Sequence, residues 1–305
     1  MAKTAGSTAS FRVASAGVLN GEKLSIRILN QDAGRFALAE AGFTTGQYSV
    51  IQRAMSKPSG MVLMCGPTGS GKTTTMYAML NEIDLFTRNV ITVEDPIEAV
   101  LREASQIEIN PKADITFAKT LRSVLRQDPD VICVGEIRDD ETAQIALRAS
   151  QTGHLVLATI HCDSNRAALV RLMDLGVSPL LLSSGLSLLV SQRLLRQLCE
   201  HCKTPAQLTK NLVDELRRKG VDHKNMFDAA GCKHCDGTGY LGRTAICDIL
   251  TITNQLRADI ADSKALIADL RGKGKRKDRA SLRKEGMRKV ESGITSLREL
   301  KRVVG

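Results

Sequence analysis

The stretch that decides the fold of this chain is Gly66-Pro67-Thr68-Gly69-Ser70-Gly71-Lys72-Thr73. It matches the pattern G-x-x-x-x-G-K-[ST], in which the backbone N–H groups of a glycine-rich loop wrap around phosphate oxygens. Lys72 is expected to reach the β- and γ-phosphates, and the Thr73 hydroxyl to hold Mg²⁺. An apolar strand over Met61–Cys65 precedes the loop, and a helix over Thr73–Ile83 follows with its positive dipole end. We predict a nucleotide phosphate site that extends from Gly66 to Thr74.

Outward from this loop, short apolar runs alternate with helical patterns. The runs are Val90–Val93, Val131–Val134 and Leu155–Ile160, and helical spacing recurs around residue 120 and over Glu141–Gln151. Strands that alternate with helices indicate a parallel sheet covered on both faces. We therefore predict an α/β fold, in which the leucine-rich stretch Pro179–Gln197 is a further helix.

Carboxylates stand at the ends of two of these runs. Glu136 lies just beyond Val131–Val134, where an acid of a P-loop sheet faces the water shell of Mg²⁺. Glu94, Asp95 and Glu98 cluster at the end of the preceding run. A cation, or a water molecule to be polarised, would offset the repulsion between these carboxylates. A solvated acidic loop is the alternative interpretation of this cluster.

Two histidines, His154 and His161, flank the run Leu155–Ile160. A lone histidine near a strand end is more often structural than catalytic. However, ligands bind at the carboxyl edge of such sheets, and we place both histidines at that edge. We predict that His161 senses the γ-phosphate and that His154 belongs to the same site.

Four of the eight cysteines form two C-x-x-C pairs, which are separated by 29 residues. Four thiolates at this spacing suit a tetrahedral Zn²⁺ ion, and glycines near the second pair permit a tight knuckle. Such a site is structural, because four protein ligands leave no open position for catalysis. Four buried or reactive thiols are the alternative. The predicted zinc ligands are Cys199, Cys202, Cys232 and Cys235.

The net charge of +10 is concentrated at the C-terminus. Residues 271–305 contain thirteen Lys and Arg against four Asp and Glu. Such a tail can meet nucleic acid, anionic lipid or an acidic protein, or it can be a solvated helical end. Aromatic residues make up only 3% of the chain, which argues against a partner nucleic acid bound by base stacking. No run of 18 apolar residues occurs, so no transmembrane helix is expected.

Four stretches together carry a family resemblance: GPTGSGKTTT, ITVEDPIE, LRQDPDVICVGEIRDDETAQIAL and TGHLVLATIH. They resemble the Walker A, Asp box, Walker B and His box motifs of the secretion ATPase superfamily, and the match extends from about residue 10 to residue 304. The tetracysteine segment resembles that of the type II secretion and type IV pilus assembly ATPases, whereas retraction motors generally lack it.

This resemblance implies a RecA-like core that binds ATP and Mg²⁺ and works as a homohexamer. It also implies a cytoplasmic location, peripheral at the inner membrane. There, ATP hydrolysis would drive pilin-like subunits through an inner-membrane platform protein.

The resemblance further implies roles for individual residues. Glu98 matches the catalytic glutamate, with Glu94 as second choice, and Glu136 matches the Walker B acid. His154 and His161 match the His box. The strands FRVAS and KLSIRIL resemble those through which the preceding domain supplies arginines to the nucleotide, which would be Arg12 and Arg27. Ordinary surface arginines are the alternative for these two.

We predict four segments. Residues 1–57 hold two short strands and a linker helix, as the remnant of an N-terminal α+β domain, and residues 58–198 form the RecA-like P-loop core. Residues 199–250 are the tetracysteine region, and residues 251–305 are a basic helical region. Because family members are longer at the N-terminus, one alternative is a truncated subunit that binds ATP or co-assembles with a full-length motor without hydrolysis. A second alternative is a DNA-linked P-loop motor that relies on the basic tail.

Overall fold

The computed structural model describes residues 2–4, 7–30, 36–262 and 274–305. The strands are β1 Ala2–Thr4, β2 Ser7–Val18, β3 Gly21–Asn30, β4 Gly60–Cys65, β5 Val90–Glu94, β6 Ser105–Glu108, β7 Val131–Val134, β8 Leu155–Ile160, β9 Leu186–Leu198, β10 Thr204–Pro205, β11 Phe227–Asp228 and β12 Tyr240–Thr251. The helices are α1 Thr45–Met55, α2 Lys72–Asn81, α3 Phe117–Val124, α4 Asp140–Gln151, α5 Asn165–Asp174, α6 Pro179–Gly185, α7 Lys210–Arg218, α8 Asn254–Ala261, α9 Gly274–Glu291 and α10 Leu297–Val304.

The centre of the fold is a seven-stranded sheet with the order β12-β9-β4-β8-β7-β5-β6. Every pair in it is parallel except β12 with β9. β4 is buried along its whole length, and its side chains alternate between the two apolar clusters on opposite faces of the sheet: Leu63 and Cys65 enter one, and Val62 and Met64 the other. The predicted α/β fold with a covered parallel sheet is confirmed.

The prediction of a helix over Pro179–Gln197 is wrong for most of its length. Only Pro179–Gly185 is helical, and Leu186–Leu198 forms β9, which pairs with β4 on one side and β12 on the other. A strand that is buried on both faces has a continuous apolar run, and periodicity alone cannot distinguish this run from a buried helix. Two paired neighbours, both distant in sequence, supply the hydrogen bonds that favour the strand.

The four-segment division of the chain stays a prediction. One strand crosses its boundaries: β12 belongs to the segment 199–250 but extends the sheet of the segment 58–198. The N-terminal segment contains three strands rather than the predicted two, in an antiparallel sheet of order β1-β2-β3. Its register pairs Arg12 with Arg27, and Phe11 with Ile28. The remaining part of the N-terminal segment includes helix α1, and residues 263–273 of the basic region lie outside the described residues.

The C-terminal helices are attached to the sheet by a buried carboxylate. Glu299 of α10 is fully buried and accepts hydrogen bonds from the Arg196 backbone N–H, at 3.1 Å, and from the guanidinium groups of Arg196 and Arg302. Burial alone would raise the pKa of Glu299, but hydrogen bonds from Arg302 and Arg196 outweigh it and lower the pKa to about 2. In α9, Lys289 donates to the Gly42 carbonyl at 2.7 Å and so holds the segment before α1.

No helix in the part of the chain that the structure describes combines the length and hydrophobicity needed to cross a bilayer.

Glu299→Gln is expected to lower the free energy of unfolding at pH 7 by about 2 kcal/mol, because two partly exposed arginines lose a buried anion. Urea denaturation measures this difference. Since the pKa of Glu299 is lowered in the folded state, its contribution is fully present above the pKa of the unfolded chain and is lost as the pH falls towards about 2. The difference in the free energy of unfolding between wild type and variant should therefore become smaller at acid pH. Glu215→Gln, which breaks an exposed pair with Lys219, is the control and should change stability by less than about 1 kcal/mol.

Candidate nucleotide-binding and metal sites

The phosphate loop connects the end of β4 to the start of α2. Gly69 and Gly71 adopt left-handed backbone conformations, with φ of 74° and 86°. A side chain at Gly71 would also come within 2.9 Å of the Gln192 amide nitrogen, so this position excludes larger residues. A Cβ atom at Gly69 would meet no atom within 4 Å, so the loop is open on that side. The buried Ser70 hydroxyl has no hydrogen-bond partner among the described residues.

Lys72 lies at the centre of this site. Its ammonium group donates to the Gly66 carbonyl at 2.8 Å and the Pro67 carbonyl at 3.1 Å, and it lies 3.5 Å from His161 Nδ1. Burial lowers the pKa of Lys72, and the Glu136 carboxylate partly opposes this shift. A buried ammonium that rests only on neutral carbonyls and an imidazole is suited to bind an anion. The residues of the loop thus fit the phosphates of a nucleotide.

The predicted Walker B acid and the second histidine meet in the same place. Glu136 Oε1 lies 3.2 Å from His161 Nε2, and its Oε2 accepts a 2.7 Å hydrogen bond from Arg138. Arg138 also contacts Asp95 at 2.9 Å. Positive and negative groups therefore alternate from Lys72 to Asp95 across the carboxyl ends of four strands. The mostly buried Glu136 carboxylate and the half-buried Thr73 at the start of α2 are the residues that could hold Mg²⁺ at this edge.

The two candidate bases have different environments. Glu94 is buried, and both its oxygens accept hydrogen bonds from neutral side chains, so it is not placed to accept a proton from water. The Glu98 side chain reaches solvent in the loop after β5. Partial desolvation by the surrounding protein raises the pKa of Glu98; the charge of Glu94 adds to this effect, and Arg27 opposes it. Of the two, only Glu98 has a carboxylate without a hydrogen-bond or ion-pair partner among the residues that the structure describes.

His154 does not lie at the predicted edge. It precedes β8, and its carbonyl accepts the N–H of Gly60, the first residue of β4, at 3.2 Å. Because β4 and β8 are parallel, this is the amino edge of the sheet, opposite the phosphate loop. His154 lies just after α4, and its ring contacts the carbonyl of Ala149 in the last turn of that helix at 3.0 Å. The prediction that both histidines share one edge is therefore wrong, and only His161 joins the phosphate site within the chain.

The two predicted arginines lie opposite each other on β2 and β3. The charge of Arg27 acts on Glu98, so the N-terminal sheet contributes a cation to the surroundings of the candidate base within the same chain. The side chain of Arg12 lies outside the described residues.

Sequence analysis missed Gln192, which clamps the phosphate loop from β9. Its amide nitrogen donates to the Ser70 carbonyl at 2.8 Å, and its amide oxygen accepts the Thr75 hydroxyl at 3.0 Å. It is almost completely buried. The register of β9 places Ser191 opposite Cys65, so the next residue must lie beside Gly66. A strand prediction for this stretch would have found it, whereas the helix prediction hid it.

The two cysteine pairs come together as predicted, and their sulfur atoms all lie within 4.8 Å of one another. The separations Cys199–Cys232 and Cys202–Cys235 are 3.9 and 3.8 Å. Zn–S bonds of about 2.3 Å imply a tetrahedron edge of about 3.8 Å, so the cluster has the size that zinc requires. The backbone N–H groups of Gly231 and Gly239 donate to Cys202 and Cys235, which supports deprotonated sulfurs.

Comparisons with known proteins agree with this geometry. The family described as "Type II/IV secretion system protein" matches residues 1–302. The type II secretion system protein HxcR of Pseudomonas aeruginosa is 42% identical over 301 residues, which are 99% of this chain and 60% of that protein. The type II secretion system ATPase E of Vibrio cholerae is 42% identical over 98% of this chain and 59% of that protein. The chain thus spans about three fifths of the length of these curated relatives.

Two solved structures share the fold. The ATPase DotB of Legionella pneumophila superimposes with a TM-score of 0.70 at 22% identity, over 99% of this chain and 74% of DotB. The pilus retraction motor PilT with bound ADP gives a TM-score of 0.67 at 25% identity, over 96% of this chain and 73% of PilT. The predicted RecA-like ATPase architecture is thereby confirmed as a fold.

Removing one thiolate of the tetracysteine cluster is expected to release its metal and lower stability. Cys232→Ser should lose bound zinc and show a lower Tm, because metal binding contributes to folding free energy. Zinc content by mass spectrometry and Tm with and without a chelator measure both effects. Cys162→Ser, outside the cluster, should keep its zinc. Equal wild-type Tm values with and without chelator would contradict the metal site.

Gln192→Leu is expected to weaken ATP binding by about tenfold, because both the Ser70 carbonyl and the Thr75 hydroxyl lose a buried partner. Titration with a fluorescent ATP analogue measures the change. Gln197→Leu is the matched control on the same strand, since Gln197 contacts Arg243 at the surface. Equal affinities of the two variants would contradict the clamp.

Proposed function

The chain belongs to the type II/IV secretion system protein family, and on that premise we propose that it hydrolyses ATP to ADP and phosphate as the motor core of a type II secretion or type IV pilus assembly machine. The observation that carries the proposal is the unbroken contact from Lys72 through His161 to Glu136 beside an open glycine loop. A plain glycine turn does not need a buried lysine, an acid at the end of the second strand along the sheet and an imidazole at the end of the strand between them.

The chain's own residues supply the binding of substrate. The loop N–H groups hold phosphate oxygens, and Lys72 turns from the loop carbonyls to the β- and γ-phosphates. Mg²⁺ held through Thr73 and Glu136 would neutralise charge on those phosphates. His161, in contact with both Lys72 and Glu136, is placed to register the loss of the γ-phosphate.

Glu98 is the proposed general base. Its raised pKa brings its basicity closer to that of a group that takes a proton from water near neutral pH. Arg27 provides positive charge near the reacting phosphate, and Arg12, its partner in the register, is the second candidate for this role. Arg138 fixes the Glu136 carboxylate against Asp95 and so keeps it oriented.

The family supports a proposal for the larger assembly as well. We infer a homohexamer at the cytoplasmic face of the inner membrane, peripheral to it, that acts on a platform protein and thereby on pilin or pseudopilin subunits. His154, at the edge of the sheet opposite the phosphate loop, would then serve outside its own chain's site. The second candidate function is a subunit that binds ATP or co-assembles without hydrolysis.

Two substitutions test the motor proposal. Lys72→Ala is expected to abolish turnover, because the phosphates lose their buried cation. Glu98→Gln should lower kcat by about 100-fold or more while ATP still binds. Steady-state ATPase assays with light scattering on the same samples give activity and particle mass together.

Matched controls sharpen this test. Lys119→Ala removes an exposed lysine paired with Asp114, and Glu103→Gln removes an exposed carboxylate from the loop that carries Glu98. Both should keep wild-type activity. A wild-type chain that binds ATP without turnover would support the non-hydrolysing subunit instead, and steeply salt-dependent DNA affinity would support the DNA-linked motor.

A further inference from the structure

One tyrosine hydroxyl connects the loop that carries Glu98 to helix α2. Tyr77 is fully buried on α2, four residues after Thr73 and therefore on the same face of the helix. Its hydroxyl donates to Glu94 Oε2 and accepts the backbone N–H groups of Glu98, at 3.1 Å, and Ala99, at 3.3 Å. One oxygen atom thus joins the phosphate-loop helix, the end of β5 and the loop of the candidate base.

We propose that Tyr77 and Glu94 form a positioning pair that sets the place of Glu98 relative to the phosphate loop. The inference rests on the proposed function, in which Glu98 is the general base. Neither residue touches substrate in this scheme. They act through the backbone of residues 98 and 99, and through the charge that Glu94 presents to Glu98.

Glu94 is a firm anchor for this purpose. Its Oε1 accepts the Thr92 hydroxyl at 2.6 Å and the Gln106 amide at 3.0 Å. The same Gln106 amide donates to the Ala99 carbonyl at 3.0 Å, and its oxygen accepts the Leu101 N–H at 2.7 Å. The loop backbone is therefore held at residues 99 and 101, just after Glu98, and the Tyr77 hydroxyl connects it to α2.

The hydroxyl of Tyr77 donates to Glu94. Burial raises the pKa of Tyr77, and the charge of Glu94 and its hydrogen bond raise it further, which favours the protonated phenol. The groups that face Glu98 are Glu94 on β5, Arg27 on β3 and the Tyr77 hydroxyl on α2, while Glu108 on β6 holds the neighbouring Ile97 N–H at 3.1 Å. Among them, Glu94 is the anion that keeps the Glu98 carboxylate basic.

A role in packing alone makes a different prediction from a role in positioning. Phenylalanine fills the volume of Tyr77, so Tyr77→Phe removes the hydroxyl contacts and little else. We expect this variant to lower kcat by about tenfold with ATP affinity changed by less than about twofold, since the phosphate loop is untouched. If Tyr77 were purely structural, Tyr77→Phe would lower Tm but leave both kcat and the affinity for ATP in the same proportion as in wild type.

Glu94→Gln tests the effect of the Glu94 charge on Glu98, because it removes the charge and keeps the shape of the side chain. The base works only when it is ionised, so kcat falls as the pH drops through the pKa of Glu98. Removing the charge of Glu94 lowers that pKa, and the acid limb of the kcat–pH profile should move to lower pH. This variant also serves if Tyr77→Phe fails to fold.

The chain contains a matched control in a second Tyr–Glu pair. Tyr48 of α1 donates to Glu82 at 2.9 Å on the surface at the other end of α2, so Tyr48→Phe should leave kcat and the pH profile unchanged. Wild-type kcat in Tyr77→Phe and an unmoved acid limb in Glu94→Gln, with Glu98→Gln inactive, would overturn the positioning pair while the proposed function stands. Full activity in Glu98→Gln, or no turnover in wild type, would overturn both, because no base would remain to be positioned.

Discussion

The parallel pairing of β4 with β8 and β9 is the constraint on which the candidate nucleotide site depends. Cys65 lies opposite Ile160 on one side and Ser191 on the other. The next residues of the three strands are Gly66, His161 and Gln192, and they must therefore emerge side by side at one edge. A slip of one residue would turn every side chain of the buried strands to the opposite face, so the two apolar cores on either side hold the register that the chemistry requires.

The order of the charged and polar side chains along this edge follows from the same strand pairing. Lys72, the histidine after β8 and Glu136 after β7 come from neighbouring strand ends, and each contacts the next. Glu94, one strand further along, is buried among neutral donors and imposes its charge on Glu98. Two carboxylates four residues apart thus have different environments, because Glu94 is enclosed by α2 and β6 and Glu98 reaches solvent.

β9 links this site to the C-terminal region. Gln192 clamps the phosphate loop, Arg196 contacts the buried Glu299, and Cys199 follows the last residue of the strand in the metal cluster. These residues lie within about 23 Å along a single strand at about 3.3 Å per residue. A metal ion held by the four cysteines would fix the far end of β9 and so stiffen the strand that holds the phosphate loop.

The sequence by itself determined the glycine-rich loop, the cluster of four cysteines and the parallel α/β fold, because these depend on local backbone needs, ligand spacing and hydrophobic patterns within short segments. Glu136 and His161 followed from their positions at the ends of apolar runs. Tertiary structure decided the rest. It made Leu186–Leu198 a strand, separated His154 from His161 across the length of β8, and distinguished Glu94 from Glu98. Each of these depends on a part of the chain that is distant in sequence: the strands that pair with β9, the strand beside which β8 runs parallel, and the buried hydroxyl that contacts Glu94. No pattern within a single segment contains that information.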